Sequence, residues 1–244
     1  MMKKVSVIAI NYNSLNDTLE FLDSVYDQKG VHLEVIVVDN ASDERPNDKI
    51  KSKHPDTIVI NSSKNLGFAG GNNLAMKQAT GEFLFLINND TILQENTIQN
   101  LIRAFSTNQN IGVVCPKIKF YDNQSIIQYA GFEPMNFFTG RTSAIGSQSV
   151  DDGSFDKSGF TAGAHGAAMM IRKDVAEQTG YFDESYFLYY EEWDWSVRIK
   201  KAGFEIFYEP SATVIHKQSM SVGKANPMKT YYLNRNRLLF ILKN

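Results

Sequence analysis

LEVIVVD, residues 33–39, runs apolar from Val35 to Val38 and then stops at an acid. A strand with one face in water alternates polar and apolar residues. An unbroken apolar run belongs to a strand covered on both faces, as in a parallel sheet packed between helices. The neighbouring segments repeat the arrangement. VSVIAI (5–10) precedes it as a first strand, and TIVINS (57–62) and EFLFLI (82–87) follow as a third and fourth. Helical signals separate them. Leu15, Leu19, Leu22 and Val25 stand at near-helical spacing and predict a helix over 16–28; residues 47–54 read as a short helix. GFAGGNNLAMKQAT (67–80) begins glycine-rich and turns helical. Strand and helix in alternation predict an α/β fold with a doubly wound, mostly parallel sheet flanked by helices.

The remainder continues the pattern less regularly. A helix is expected from Thr97 to Ser106, followed by IGVVCPKIKF (111–120). Residues 121–160 are rich in Gly, Ser, Asp and aromatics and predict loops and short strands that shape one side of a pocket. AAMMIRKDVAEQTG (167–180) reads as a strand leading into a short helix. Within ESYFLYYEEWDWSVRIKKAGF (184–204), Trp195, Ile199 and Ala202 form one helical stripe. Gly203 then sits where a C′ glycine belongs, with Phe204 placed for the accompanying contact. EIFYEPSATVIH (205–216) reads as a strand pair and 227–242 as a terminal amphipathic helix. The chain stops inside the apolar pattern LLFILKN, so continuation past Asn244 is expected. No internal repeat or low-complexity segment is evident, and 1–244 is read as one domain.

Composition narrows the function. With 244 residues the chain can bury a sizeable core. It is 43% apolar and 21% charged with a formal net charge of −2, which gives no support for nucleic-acid binding. Cys115 is the sole cysteine, which excludes an intrachain disulfide and a CxxC metal site and fits a reducing compartment. The run Val5–Ile10 is too short for the apolar region of a signal peptide, and no apolar run reaches the length of a membrane span.

Polar clusters stand at strand ends and helix starts. Asn11-Tyr12-Asn13 follows the first strand and Asp39-Asn40-Ala41-Ser42 the second. Each reads equally well as a capped turn or as a nucleotide contact, since ligands collect beyond the carboxyl ends of strands in open α/β sheets. Asn65 to Asn73, with glycines at 67, 70 and 71, lets backbone N–H groups approach a phosphate or sugar closely. The glycine spacing matches neither GxGxxG nor the P-loop, so dinucleotide binding is poorly supported. Asn88-Asn89-Asp90 ends the fourth strand. Asp90 with an imidazole and diphosphate oxygens makes a plausible Mn²⁺ or Mg²⁺ site, although spacing alone reads His216 as a packed strand histidine. Finally, Glu191, Glu192 and Asp194 open a helix among Tyr186, Phe187, Tyr189, Tyr190, Trp193 and Trp195. Acids in a first turn complement the helix dipole. Acids set among aromatics also suggest a pocket wall that stacks a sugar, with the helix start favouring the ionised form a general base requires.

Taken in order, VSVIAINYN, VIVVDNAS, NLGFAGGNN, FLFLINND, GYFDESYFLYYEEWDWSVRIKKAGF, IHKQSMS and LNRNRL resemble the inverting family-2 glycosyltransferases of GT-A fold, especially rhamnosyltransferase-like and galactofuranosyltransferase-like members. The resemblance covers nearly the whole chain. It implies a nucleotide-sugar-binding half over 1–120, an acceptor and catalytic half over 121–220, and a C-terminal helix within 221–244. It implies that Asp39, with Asn11 and Asn13, binds the donor's base or ribose, and that Asn65, Gly67 and Gly71 belong to a loop closing over the nucleotide. Asn88, Asn89 and Asp90 match the metal motif usually written Asp-x-Asp, with Asn89 beside the donor and His216 completing the metal site. Glu192 matches the general base, with Glu191 beside it as the alternative, and Arg235 and Arg237 match a basic pair near phosphates. Two positions depart from the pattern: Asn88 stands where Asp is usual, and Glu-Glu where Glu-Asp is commoner.

The implied reaction moves a sugar, with inversion, from a dTDP- or UDP-sugar to a hydroxyl of a saccharide or lipid-linked saccharide, in cell-surface polysaccharide synthesis. Mn²⁺ or Mg²⁺ is the implied cofactor. A cytoplasmic location is expected, and the apolar terminus leaves peripheral association with the inner membrane face open. A non-catalytic nucleotide-sugar or carbohydrate binder on the same fold is the alternative, and metal-dependent turnover separates the two. A nucleotidyltransferase would want a basic, glycine-rich loop after the first strand, where this chain has NYNSLND. A retaining glycosidase would not need the nucleotide-like clusters.

Overall fold

A computed structural model describes residues 3–217 and 227–244; Gln218 to Ser221 of the IHKQSMS motif, and the expected terminal segment before 227, lie outside it. The first half alternates as expected: β1 (Lys4–Asn11), α1 (Leu15–Tyr26), β2 (His32–Asp39), α2 (Asn47–Lys53), β3 (Ile58–Asn61), α3 (Gly67–Met76) and β4 (Phe83–Ile87). These four strands pair in parallel in the order β3-β2-β1-β4. All five residues of β4 and the last five of β2 are buried, which is why both read as unbroken apolar runs. β3 forms the edge and is half-exposed.

The second half extends the same sheet with mixed directions. Its elements are β5 (Thr91–Leu93), α4 (Thr97–Phe105), β6 (Ile111–Phe120), β7 (Ile127–Tyr129), β8 (Gly159–Phe160), β9 (Ala168–Arg172), α5 (Lys173–Thr179), α6 (Glu191–Lys201), β10 (Glu205–His216) and α7 (Pro227–Lys243). β9 lies antiparallel between β4 and β6, β10 runs parallel to β6, and β5 is antiparallel on β10. The expected strand pair over 205–216 is instead one strand. Its register slips between Glu209 and Thr213, where Pro210 has no N–H to give the ladder. The displaced backbone is held from α4: Asn100 donates to the Ser211 carbonyl at 2.7 Å and Thr97 Oγ1 to that of Thr213 at 2.8 Å.

α6 ends as its sequence requires. Gly203 adopts φ +88°, the Phe204 N–H donates to the Ile199 carbonyl, and the Gly203 N–H donates to that of Lys200. Trp195 and Ile199 are buried while Ala202 is exposed, so the stripe is one residue shorter than predicted.

Strand direction decides what meets at the sheet edge. β1, β2, β4 and β10 all point the same way, and antiparallel β9 begins where they end. The residues after Ile87, the end of β10 at His216, and the turn before Ala168 therefore share one edge. β5 carries the chain from β4 across to β10, pairing Thr91 with His216. Residues 88–90 are thereby held beside a strand three positions away in the sheet.

Candidate active site

The turn 88–90 is tied down at every residue. The Asn88 N–H donates to the Ala167 carbonyl at 2.9 Å, and the Asn88 carbonyl accepts from Thr91 Oγ1 at 2.6 Å. Asn89 Nδ2 donates to Ser14 Oγ at 2.7 Å and Thr18 Oγ1 at 2.8 Å, and the Asp90 carbonyl accepts from the Lys217 N–H at 2.9 Å. So fixed, Asp90 Oδ1 stands 3.2 Å from His216 Nε2, with Asn88 Nδ2 at 3.5 Å from the same nitrogen. His216 Nδ1 lies 2.8 Å from Gln128 Oε1. An amide oxygen only accepts, so Nδ1 carries a proton and the ring turns Nε2 toward Asp90. A carboxylate oxygen and a ring nitrogen at that distance are held together by a proton or a cation between them. The donor set fits a divalent cation. Among the described residues no three His, Cys, Asp or Glu side chains group around one point.

Beside this turn a cavity of about 330 Å³ is walled by Asn65, Gly67, Phe187, Leu188 and Tyr189. Gly67 takes φ +68°, and a Cβ there would fall 2.3 Å from the Phe187 carbonyl oxygen, so only glycine fits. Asn40, which the sequence reading passed over in favour of Asp39, organises the loop. It donates to Asn65 Oδ1 and the Gly67 carbonyl and accepts from the Leu66 N–H. Gly71 lies inside α3, where a Cβ would come 3.0 Å from Ile10 Cδ1; it lets the helix lie on β1 and is not part of the cavity wall.

Asn11 and Asn13 line a second cavity of about 650 Å³ with Ser42, Asp43 and Arg45, and Ser14 belongs to both cavities. Asn11 is buried and engaged: Nδ2 donates to Asp39 Oδ1 and Ser42 Oγ, and Oδ1 accepts from Thr18 Oγ1. Asp39 is itself buried behind this turn and lines neither cavity. Asn13, at φ 53°, exchanges hydrogen bonds with Ser42 and Asp43.

The segment entering α6 carries backbone strain. Phe187, Tyr189 and Tyr190 have φ of 64°, 71° and 73°, a left-handed region costly for aromatic residues. It is braced on two sides. The Phe187 carbonyl accepts from the Phe68 and Ala69 N–H groups at the start of α3. Asn236 Nδ2, buried on α7, lies 2.7–2.8 Å from the carbonyls of Tyr186, Leu188 and Tyr189, which share its two N–H groups. Nothing in the spacing of LNRNRL distinguishes this asparagine.

Glu191 is 3% exposed and Glu192 half-buried. Burial, and then the charge of Glu192, push the Glu191 carboxyl well above the usual range; burial raises Glu192 to about 7. Stabilisation of the ionised forms by the helix start, as the sequence suggested, is thus outweighed by desolvation. Asp194 is wholly buried and structural, paired with Arg198 at 2.9 Å and Lys243 at 2.7 Å. The expected aromatic wall is mostly core. Tyr186 and Trp195 are enclosed, Trp193 packs on Gly163, and Phe187 and Tyr189 are the members of the group that line the cavity beside Asp90. Arg235 bonds the Ser185 carbonyl and Arg237 packs against Gly140, and neither lines that cavity.

An acidic turn, a histidine and an acidic helix start are gathered at the strand-end edge of a parallel half-sheet joined to a mixed one. The chain belongs to glycosyl transferase family 2, whose model matches residues 6–180. It is 27% identical to the low-salt glycan biosynthesis hexosyltransferase Agl10 of Haloferax volcanii, over 98% of this chain and 76% of that protein. It is 24% identical to the N-acetylglucosaminyl-diphospho-decaprenol L-rhamnosyltransferase of Mycobacterium tuberculosis, over 92% and 79%. Two solved structures share the fold. GalNAc-T7 with UDP, GalNAc and Mn²⁺ superposes with a TM-score of 0.73 at 16% identity, over 88% of this chain and 44% of that one. The mannosyltransferase PcManGT from Pyrobaculum calidifontis, in complex with GDP-Man and Mn²⁺, gives 0.68 at 18% identity, over 99% and 63%. The chain therefore spans less than two thirds of either. Among the described residues no helix is long and apolar enough to cross a membrane.

Proposed function

We propose that this chain is a metal-dependent, inverting glycosyltransferase that moves a sugar from a dTDP- or UDP-sugar to a hydroxyl of a saccharide or lipid-linked saccharide. The observation that carries the reading is the Asp90–His216 pair, whose carboxylate oxygen and ring nitrogen are 3.2 Å apart, with Asp90 lining a cavity together with the glycine loop. Residues 1–120 supply the donor side and 121–220 the acceptor side. Asn65, Gly67 and Asn89 bound the nucleotide-sugar site, and Asn11, Asn13 and Asp39 shape its base and ribose end; Gly71 contributes through the packing of α3.

Asp90 and His216, with Asn88, would hold Mn²⁺ or Mg²⁺. Such an ion offsets the negative charge that builds on a leaving diphosphate. Glu192 takes the proton of the acceptor hydroxyl as its oxygen bonds the anomeric carbon. The bond from that carbon to the diphosphate oxygen breaks, and the electron pair leaves with the nucleoside diphosphate. A positioned base of this kind contributes roughly 10²–10⁴-fold. Glu191, more deeply buried and with its carboxyl pushed well above the usual range by that burial, is the weaker candidate for the base. The step needs one base and no protein nucleophile.

The relative from M. tuberculosis, named for a diphospho-decaprenol acceptor, supports a lipid-linked substrate. Exposed Phe138, Leu238 and Leu242 support contact with the cytoplasmic membrane face. The reading is tested by nucleoside diphosphate release from a panel of UDP-, dTDP- and GDP-sugars, with Mn²⁺ or EDTA, on wild type and Asp90→Ala. Release that needs the metal and is lost in the variant is expected. Release that is indifferent to EDTA contradicts metal dependence, and failure of the whole panel to bind contradicts the donor class.

A further inference from the structure

Two histidines stand at the strand-end edge, and the mechanism above uses one. His165 begins the turn His165-Gly166-Ala167 that leads into β9, and this turn lies between the two halves of the proposed chemistry. On one side the Ala167 carbonyl accepts from the Asn88 N–H at 2.9 Å. On the other, a Cβ at Gly166 would come 3.9 Å from Cγ and Cδ of Glu192.

The ring is held in a fixed pose. It stacks parallel to Phe132, with centroids 5.7 Å apart and planes at 5°, and lies 4.9 Å from Tyr129. Its Nδ1 accepts the Ala167 N–H at 3.1 Å. A ring nitrogen that accepts carries no proton, so the neutral ring keeps its proton on Nε2. His216, by contrast, turns its Nδ1–H to Gln128. Burial holds His165 down at about 3, so the ring stays neutral at physiological pH. Among the described residues nothing accepts from its Nε2–H, and the residue is partly exposed. A protonated Nε2 is no metal ligand. It is a rigid, uncharged donor on the turn that meets Asn88 through Ala167 and Glu192 through Gly166.

Resting on the glycosyltransferase reading, we propose that His165 donates its Nε2–H to a hydroxyl of the sugar being transferred, orienting the anomeric carbon between the diphosphate and Glu192. The diphosphate belongs with Asp90 and His216, and the acceptor hydroxyl with Glu192, so the sugar is the part of the substrate left to face this turn.

Two substitutions separate this role from a structural one. His165→Asn keeps an acceptor where Nδ1 serves Ala167 but has no distal donor. His165→Gln places an amide N–H near the Nε2 position and lacks the inner acceptor. Binding is read by calorimetry with Mn²⁺, for the UDP-, dTDP- and GDP-sugar panel and for UDP, dTDP and GDP alone. His165→Asn is expected to weaken the intact nucleotide sugar about tenfold, the scale of one neutral hydrogen bond, while leaving the free diphosphate unchanged. His165→Gln is expected to bind the nucleotide sugar close to wild type. Three results overturn the assignment alone: wild-type sugar affinity in His165→Asn, equal weakening of sugar and free diphosphate, or a Gln variant worse than the Asn variant. Binding of no panel member by wild type overturns the donor reading and this one with it.

Discussion

Glu192 is held at about 7 by burial, so a neutral solution contains both its charged and its protonated form. A base works when ionised, and ionisation rises with pH. Turnover should therefore climb about tenfold per unit below the pKa and level off above roughly pH 8. Glu192→Gln should be slow and lack this limb. Glu191 lies deeper and its carboxyl is pushed well above the usual range by burial, so Glu191→Gln should keep most activity and the same profile. A profile that moves with Glu191 and ignores Glu192 reverses the two roles. Acids set among aromatics single out this pair in the sequence, but the two residues are equivalent in type. Their difference arises from the α6 surface each occupies, which depends on how the helix docks.

At the scale of elements, the strained turn 187–190 couples α3, α6 and α7. Its left-handed aromatics persist because the two N–H groups of Asn236, shared among three carbonyls, hold the turn. Asn236→Ala should cost about 1–3 kcal/mol in denaturant unfolding. It should also lower turnover, because the same turn walls the donor cavity and leads into Glu192. Unchanged stability and turnover would remove the brace from the account. The need for glycine at 67 was legible, since a close backbone approach at a helix start calls for it; Gly71 serves instead to seat α3 on β1. Asn236, Asn40 and Gln128 were not legible, because a lone amide acquires its meaning from partners far away in sequence.

For the whole molecule, the parallel half could be read from sequence because a strand buried on both faces writes its environment into every residue, as in Val35–Val38 and Phe83–Ile87. The mixed half could not. The antiparallel insertion of β9 between β4 and β6, and the crossing of β5 to β10, are pairings over long separations that leave no local period. Those two pairings carry Asp90 to His216 and His165 to the side of Glu192. The most direct test of the central claim uses the nucleotide sugar that wild type turns over. Its affinity and turnover are measured with Mn²⁺ on one set of preparations: wild type, Asp90→Ala and Glu192→Gln. The account predicts that Asp90→Ala loses donor binding and turnover together, whereas Glu192→Gln binds donor normally and loses about 100-fold or more in turnover. Wild-type turnover in Glu192→Gln, or full metal-dependent binding in Asp90→Ala, would contradict it.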